Sequence, residues 1–138
     1  MSGDVTILGG DGVDQFLLHD LPNLDVVNRN ETDRQTISLD GQEGSDQYTV
    51  NLVGEDVDYV INVSDSGSVT DIDSMIINAT DEADTILLRK NFVASLNGNA
   101  ADGFTDDVER INYDSTINAR LRINLAGGDD NFVSDDNS

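Results

Sequence analysis

Short apolar runs alternate with polar turns along nearly the whole chain. The runs are rich in Val, Ile, Leu, Phe and Tyr, and their centres lie about 11 residues apart with Gly, Asp, Asn or Ser between them. Stretches with apolar residues at helical spacing are few, so the pattern predicts an all-β protein with almost no helix. The predicted strands are 5–8, 16–18, 25–28, 36–39, 48–52, 59–63, 74–78, 85–88, 110–113, 121–125 and 132–133.

A longer repeat is visible when the runs are aligned on an aspartate, one polar residue and an apolar strand. Four copies fit, at residues 9–17, 41–49, 79–87 and 125–133. Their reference aspartates are Asp14, Asp46, Asp84 and Asp130. The spacings between these aspartates are 32, 38 and 46 residues, so three predicted strands fit in each interval. An antiparallel β-sandwich has similar strand spacing, but it has no reason to repeat one turn at every third connection.

This period predicts a right-handed parallel β-helix, a β-solenoid with three strands per coil and about four coils. In such a fold, equivalent apolar residues stack in columns inside the coil. The expected columns are Phe16, Tyr48, Ile86 and Phe132; Val27, Ile61 and Ile111; and Ile7, Ile37, Ile76 and Ile123. Residues 91–107 are expected to be a loop insertion outside the stack, although Phe92, Val93 and Leu96 would also suit a strand.

The whole of residues 1–138 is expected to be one solenoid segment of a longer repeat protein. The sequence begins inside a strand-like run and stops directly after a copy of the motif, so neighbouring repeats of a parent chain are the first expected partners. No apolar run approaches the roughly 20 residues that span a bilayer, and the N-terminus lacks the features of a signal peptide.

The large net negative charge of the chain makes anionic partners unfavourable. The sequence has 28 Asp and Glu residues and seven Lys and Arg residues, a net charge of -21 at pH 7. Duplex nucleic acid and anionic membranes carry the same sign, so we expect no nucleic-acid partner and no membrane insertion. With no cysteine and one histidine, a zinc site is nearly excluded. Hard cations with oxygen ligands remain, and calcium is the first candidate.

One copy of the repeat has a complete motif. Residues 9–17, Gly9-Gly10-Asp11-Gly12-Val13-Asp14-Gln15-Phe16-Leu17, match the pattern G-G-x-G-x-D-x-U-x at every specified position. This nonapeptide resembles the haemolysin-type calcium-binding repeat of repeats-in-toxin proteins, which are large bacterial secreted or surface proteins. The other three copies keep the aspartate and the apolar residue but have lost glycines. The resemblance implies an extracellular or cell-surface scaffold that calcium stabilises, and it names no enzymatic activity.

The resemblance also implies which residues bind calcium. In the family, an ion lies between successive turns and is held by loop carbonyls and motif aspartates. The metal candidates here are Gly9, Asp11, Asp14, Gly41, Glu43, Asp46, Asp81, Asp84, Asp129 and Asp130. Family members carry the nonapeptide in tandem, whereas this chain has one copy per predicted coil. We therefore expect one to three ions, with the first two loops as the best site.

The residues themselves give a second reason to expect a cation. Stacked turns would place carboxylates about 4.8 Å apart, where they repel one another. All seven basic residues lie outside the motif loops, so a bound cation would resolve this repulsion. The competing interpretation is that Gly and Asp merely favour turns and bind nothing.

Three functions are compatible with the sequence. The first is a structural spacer, not an enzyme, that folds when it meets calcium outside the cell. The second is a carbohydrate-active β-helix such as a lyase or epimerase, but its acidic substrates would need a basic cluster, and His19 has no recognisable nucleophile beside it. The third is an adhesion module that binds a glycan or a surface protein through an exposed face.

Overall fold

The computed structural model describes residues 4–21, 36–54, 57–96 and 108–135. These residues form strands and turns and no helix, which confirms the all-β prediction. None of them forms a helix long and apolar enough to cross a bilayer. The strands are β1 (Val5–Asp11), β2 (Gln15–Leu18), β3 (Thr36–Glu43), β4 (Gln47–Asn51), β5 (Tyr59–Ser64), β6 (Ser74–Asn78), β7 (Thr85–Arg89), β8 (Phe92–Leu96), β9 (Val108–Tyr113), β10 (Arg120–Asn124) and β11 (Asn131–Ser134).

The described strands lie in two sheets. The larger has the order β1-β3-β5-β9-β8-β7-β11, and the smaller has the order β10-β6-β4-β2. Neighbouring strands are parallel and come from different repeats, except at β8, which pairs antiparallel with β7, the strand before it in the chain, and with β9. The register places Ile37 beside Ile61 and Ile61 beside Ile111, so the expected Ile61–Ile111 contact is confirmed. Val27, expected in the same column, lies outside the described residues.

Strand β8 corrects the prediction that residues 91–107 lie outside the stack. Phe92–Leu96 pairs antiparallel with both β7 and β9, and the remainder of the interval lies outside the described residues. β8 is buried on both faces, because Val93, Ala94 and Ser95 are all buried between the neighbouring strands, and the Phe92 ring lies 3.9 Å from the Arg110 guanidinium. Antiparallel strands can be joined by a tight turn, here Lys90 and Asn91, which the repeat period did not anticipate.

The expected column of four aromatic and isoleucine residues is wrong, since its members separate into two pairs. The rings of Phe16 and Tyr48 stack with centroids 4.9 Å apart in the smaller sheet, where Tyr48 is followed by Met75. Ile86 and Phe132 instead pair with each other in the larger sheet. The position beside Tyr48 that was expected for Ile86 of β7 is occupied by Met75 of β6. The turn that precedes β6 has no glycine pair, so the motif alignment passes over this strand.

The third expected column is also divided between the sheets. Ile37 lies in the larger sheet, next to Val5 and Ile61, whereas Ile76 lies in the smaller sheet, next to Thr49 and Arg122. The core therefore consists of inward-facing residues from both sheets. Its fully or nearly fully buried members include Leu39, Tyr48, Val50, Tyr59, Ile61, Val63, Met75, Ile77, Ile86, Val93 and Ile111.

Rows of amide side chains run across the parallel strands. Asn124 Nδ2 donates to Asn78 Oδ1 at 2.5 Å, and Asn78 Nδ2 donates to Asn51 Oδ1 at 2.7 Å. The row reaches His19, whose Nδ1 lies 3.1 Å from Asn51 Nδ2. Each of these hydrogen bonds forms only when the asparagines of successive strands lie side by side, so the row stabilises the parallel register.

Candidate metal centre

The residue that precedes β2, β4 and β6 is an aspartate in each case, and these side chains form a ladder. Asp14 N donates to Asp46 Oδ1 at 2.7 Å, and Asp46 N donates to Asp73 Oδ1 at 2.9 Å. Asp73 N continues the series by donating to Asn118 Oδ1 at 3.1 Å. Parallel register explains the ladder, because residues that begin neighbouring parallel strands lie side by side. It joins loops that are 32, 27 and 45 residues apart in sequence.

Asp46 and Asp73 form a buried cluster with Asp65, which follows β5. One carboxylate oxygen from each of the three residues lies within 4.8 Å of those from the other two. Asp46 is only 1% exposed, and Asp65 and Asp73 are buried as well. No lysine or arginine is present among the described residues before Arg89, so these loops supply no cationic side chain. Burying carboxylates in this way costs free energy unless they are paired or bind a metal.

Hydrogen bonds satisfy only part of the cluster. Asp65 Oδ1 accepts from Gly67 N at 3.0 Å, and Asp65 Oδ2 accepts from the Tyr48 hydroxyl at 2.8 Å. Asp46 Oδ2, by contrast, is buried and has no hydrogen-bond donor. Asp14 Oδ2, in the neighbouring loop of the ladder, is also buried and also has no hydrogen-bond donor. Buried polar atoms are nearly always paired in folded proteins, so these two oxygens in neighbouring loops are the atoms of the cluster most available to a further ligand.

Burial and mutual repulsion change the acidity of these groups. Burial raises the pKa of Asp46, and the negative charges of Asp65 and Asp73 raise it further, against the opposing hydrogen bond from Asp14 N. Burial also raises the pKa of Asp73, with added repulsion from Asp65 and Asp71. Both carboxylates therefore bind a proton more readily than an exposed aspartate does, and a bound metal ion would relieve the same repulsion.

Two glycines provide the space that the aspartate side chains occupy. A methyl group on Gly41 would lie 2.1 Å from Asp46 Oδ2 and 2.7 Å from Asp65 Oδ2. A methyl group on Gly9 would lie 2.6 Å from both Asp14 Oδ2 and the Gly41 carbonyl oxygen. Neither glycine has a left-handed backbone, so close approach alone explains the requirement. The first glycine of the motif thus allows a carboxylate to pack against the backbone of its own loop.

Other motif positions do require a left-handed backbone. The second position has φ of 105° at Gly10, and this conformation persists at Gln42 (73°) and Ala126 (62°), where glycine is absent. The fourth position is glycine in the three copies concerned, with φ of 117° at Gly12 and 133° at Gly44. A methyl group on Gly44 would also lie 1.5 Å from the Gly12 carbonyl oxygen. The second and fourth copies therefore keep the left-handed residues of the complete turn, whereas Thr80 and Glu82, at the equivalent positions of the third copy, have no positive φ.

The third and fourth motif copies form a separate stack, so the expectation of one column of four motif loops is wrong. Asp84 N donates to Asp130 Oδ1 at 3.1 Å, which repeats the ladder contact between β7 and β11. Asp84 Oδ2 accepts from both N and Oγ1 of Thr80 at 2.9 Å, so this oxygen has donors of its own. Asp81 and Asp129 are exposed. This stack lacks the unpartnered buried oxygens of the first.

The remaining candidates from the sequence lie at the rim of the first stack. Asp11 and Glu43 are neighbours in the β1–β3 pairing, and both are exposed. The Glu43 carbonyl accepts a hydrogen bond from Gly12 N at 2.7 Å. Of the sequence candidates, Gly9, Asp14, Gly41 and Asp46 are the residues that the structure brings together around the buried oxygens.

Two residues of the cluster were missed by the sequence analysis. Asp73 precedes Ser74 and Met75 and so matches the aspartate, polar, apolar core of the motif, but no glycine pair precedes it. Asp65 lies in a loop with no motif, and nothing in the strand period indicates that its carboxylate turns inward. The matching triplet alone, without its glycines, was the available signal for Asp73.

Comparison of the chain with protein-family models, with curated proteins and with solved structures returned no match.

Proposed function

We propose that this chain is a calcium-binding structural segment that acts as a spacer in a secreted or cell-surface bacterial protein. The observation that carries the proposal is Asp46 Oδ2, a buried oxygen without a donor that belongs to a cluster with the Asp65 and Asp73 carboxylates. The three side chains would hold the ion, and Asp14 Oδ2 and the Gly41 carbonyl would extend the site toward the first loop.

Calcium suits this donor set better than the other common cations. It accepts six to eight oxygen ligands at about 2.3–2.6 Å in flexible geometry, and water can complete the shell. Magnesium requires a tighter octahedron and gives up its water reluctantly. Zinc prefers thiolate or imidazole, and the single histidine, His19, is engaged with Asn51 and Asp20 at the end of the amide row. The proposal assigns His19 this structural place and no catalytic one.

The proposed architecture is a right-handed parallel β-helix in which β5, β6 and β7 make one coil and β9, β10 and β11 make the next. The parallel pairs β5–β9, β6–β10 and β7–β11 support this grouping. The turns between the second and third strands also stack, with Ala79 N donating to Asn124 O at 2.8 Å and Asn131 N donating to Asp84 O at 2.8 Å. In this proposal β8 is an extra strand that lies between β7 of one coil and β9 of the next.

The proposed extracellular location follows from the proposed binding of calcium. A site made of several carboxylates that must be filled for stability suits a compartment with abundant calcium, which is outside the cell. Calcium would hold loops from three successive repeats together, because Asp14, Asp46 and Asp73 each come from a different repeat. The segment would then be a rigid spacer whose partners are calcium and neighbouring repeats.

The test is a calcium titration of the chain by calorimetry, with terbium luminescence as a second readout. Terbium enters calcium sites, and Tyr48 donates directly to Asp65, so excitation of tyrosine should sensitise a bound ion. We expect Asp46→Asn to abolish both signals. Asp129→Asn makes the same charge change in an exposed loop of the other stack and should leave them unchanged. A parent chain that gives neither binding heat nor luminescence would overturn the proposal.

A further inference from the structure

We propose that the outer face of the smaller sheet binds a sugar that carries one carboxylate. A cavity of about 270 Å³ opens on this face and is lined by Gln47, Ser74, Ile76, Ala119 and Arg120. The parallel register places Gln47 beside Ser74 and Ser74 beside Arg120, so the cavity crosses three strands. These side chains point away from the core, because the residues that alternate with them on β4 and β6, Tyr48 and Met75, are fully buried.

The cavity contains three polar side chains with free hydrogen-bonding groups. The Arg120 guanidinium, the Ser74 hydroxyl and the Gln47 amide form no side-chain hydrogen bond or ion pair within the described part of the chain. Arg122, the next outward residue of β10, differs because its Nε donates to Asn124 Oδ1 at 2.8 Å. A guanidinium only donates, whereas a hydroxyl and an amide both donate and accept. The cavity therefore offers donors to an anion at one side and mixed partners to neutral polar groups at the other.

The Arg120 guanidinium selects a carboxylate as the charged group of the ligand. Its planar fork of N–H donors matches the two oxygens of a carboxylate. Arg122 adds a second positive charge about 7 Å along the same face. Asp46 and Asp73 directly precede Gln47 and Ser74, and the chain carries a net charge of -21, so a polyanion would be repelled. A ligand with a single carboxylate suits this balance of charge.

The remaining groups of the cavity favour a sugar over a peptide. Extended peptides commonly bind by adding a strand to a sheet edge, but β4 and β6 already have neighbours on both sides. The adjacent Gln47 and Ser74 can each donate to and accept from neighbouring ring hydroxyls. Ile76 is half-buried and supplies an apolar wall for the C–H face of a ring. The volume lies just below the roughly 300 Å³ at which sites for drug-sized ligands begin, so one sugar ring fits.

This inference goes beyond the proposed function, and NMR titration of the amide-labelled chain tests it. The buffer contains calcium and 0.15 M NaCl, where the Debye length is about 8 Å. We expect glucuronate to shift the amide resonances of Ser74, Ala119 and Arg120 in a saturable way. Glucose lacks the carboxylate and should bind about tenfold more weakly or worse. An acetylated, amidated aspartate carries the carboxylate without the ring hydroxyls, and equal affinity for it would overturn the assignment of a sugar.

Variants of the cavity separate the charged contact from the neutral ones. Arg120→Gln should weaken glucuronate binding about tenfold or more and leave glucose binding unchanged. Lys90→Gln makes the same charge change in an exposed turn outside the cavity and should bind like the parent. Ser74→Val removes the hydroxyl and should weaken the binding of both sugars.

Two results would overturn the proposal: a parent chain without saturable shifts in glucuronate, or an Arg120→Gln variant that binds glucuronate with the parent's affinity. Arg120→Lys keeps the charge without the planar fork, so it should bind glucuronate with an affinity between those of the parent and Arg120→Gln. Asp46→Asn should bind glucuronate no more weakly than the parent, because its substitution lies on the opposite side of the sheet and removes a negative charge. This variant separates failure of the sugar site from failure of calcium binding.

Discussion

The hydroxyl of Tyr48 lies 2.8 Å from Asp65 Oδ2 and joins the interior of the smaller sheet to the buried carboxylates. It also accepts a hydrogen bond from Gly41 N at 2.6 Å. Burial raises the pKa of Tyr48, and its hydrogen bond to Asp65 raises it further, so the hydroxyl remains a proton donor at neutral pH. One side chain therefore holds a carboxylate in place and also fixes the loop backbone against which Asp46 packs.

Replacing Tyr48 with Phe should lower the free energy of unfolding by about 1–3 kcal/mol, because Gly41 N and Asp65 Oδ2 each lose a buried partner. Calcium affinity should fall with it, since Asp65 is no longer held. Urea denaturation and calorimetry measure the two effects. Tyr113→Phe is the control, because it removes a hydroxyl that donates to Arg89 O and to no carboxylate of the cluster. Equal calcium affinity in the parent and in Tyr48→Phe would show that the hydrogen bond from Tyr48 does not position Asp65 for calcium binding.

Asp46→Asn should have opposite effects on stability with and without calcium. In EGTA the change removes one of three clustered charges, so the melting temperature should rise. With calcium the parent should gain stability by RT ln(1 + [Ca]/Kd), about 2.7 kcal/mol at a hundredfold excess over Kd, and the variant should gain almost none. Thermal melts of both proteins in both buffers measure the effect. A variant that melts lower than the parent in EGTA would mean that the carboxylates do not repel one another.

Stability without calcium should increase on acidification. The pKa values of Asp46 and Asp73 are raised above the ordinary value of 3.8, so the folded state binds these protons more tightly than the unfolded chain. Their contribution to stability is fully present below pH 3.8 and is lost as pH rises through the raised values. We therefore expect the urea midpoint in EGTA to rise as pH is lowered from 7 toward 4.

Two comparisons separate the cluster from the general effect of net charge, which acts in the same direction. Asp46→Asn should have a shallower dependence on pH than the parent, whereas Asp129→Asn should match the parent. Calcium should reverse the trend, because protons compete with the ion for the same oxygens. A parent midpoint in EGTA that falls steadily between pH 7 and 4 contradicts this account.

Gln42→Gly should stabilise the protein by about 0.5–1 kcal/mol, whether or not calcium is present. Gln42 has φ of 73°, a region that costs a residue with a side chain roughly 1–2 kcal/mol, and the greater flexibility of glycine in the unfolded state offsets part of the gain. Gln47→Gly, in the extended strand β4, should destabilise instead. Chemical denaturation of the two variants gives the comparison, and a loss of stability in Gln42→Gly would show that its side chain contributes more than its backbone costs.

The sequence was sufficient to predict ten of the eleven described strands and the contact between Asp14 and Asp46, because glycines and apolar runs mark these segments. The predicted strand 25–28 lies outside the described residues. It was insufficient for Asp73, whose turn is built from side chains. Asp71 Oδ2 accepts from Ser68 N and from Gly44 N at 3.0 Å, and Ser45 Oγ accepts from Ile72 N at 3.0 Å. A turn made in this way has no glycine signature, so the spacing from Asp46 was read as 38 residues to Asp84, whereas the ladder takes 27 to Asp73.

Strand β8 shows a second limit of periodicity. A repeat period describes which residues return to equivalent positions, and it contains no information about a strand that turns back on the one before it. Val93 and Ala94 are buried in the larger sheet because antiparallel pairing with β7 and β9 is available to them. That choice depends on neighbours that are distant in sequence, which the local pattern cannot specify.

The amide row has a consequence for the proton on His19. Every amide in the row donates toward the first repeat, while Asn51 and Asn78 accept from the later amide and Asn124 Oδ1 accepts from Arg122 Nε at 2.8 Å, so the row is polar and reversing one amide requires reversing all of them. Because Asn51 Oδ1 is occupied by Asn78, the Asn51 Nδ2 group faces His19 Nδ1, and that nitrogen must offer a lone pair. The hydrogen is therefore on Nε2, which lies 3.0 Å from Asp20 Oδ2. Three repeats of aligned dipoles thus select one tautomer of the chain's single imidazole.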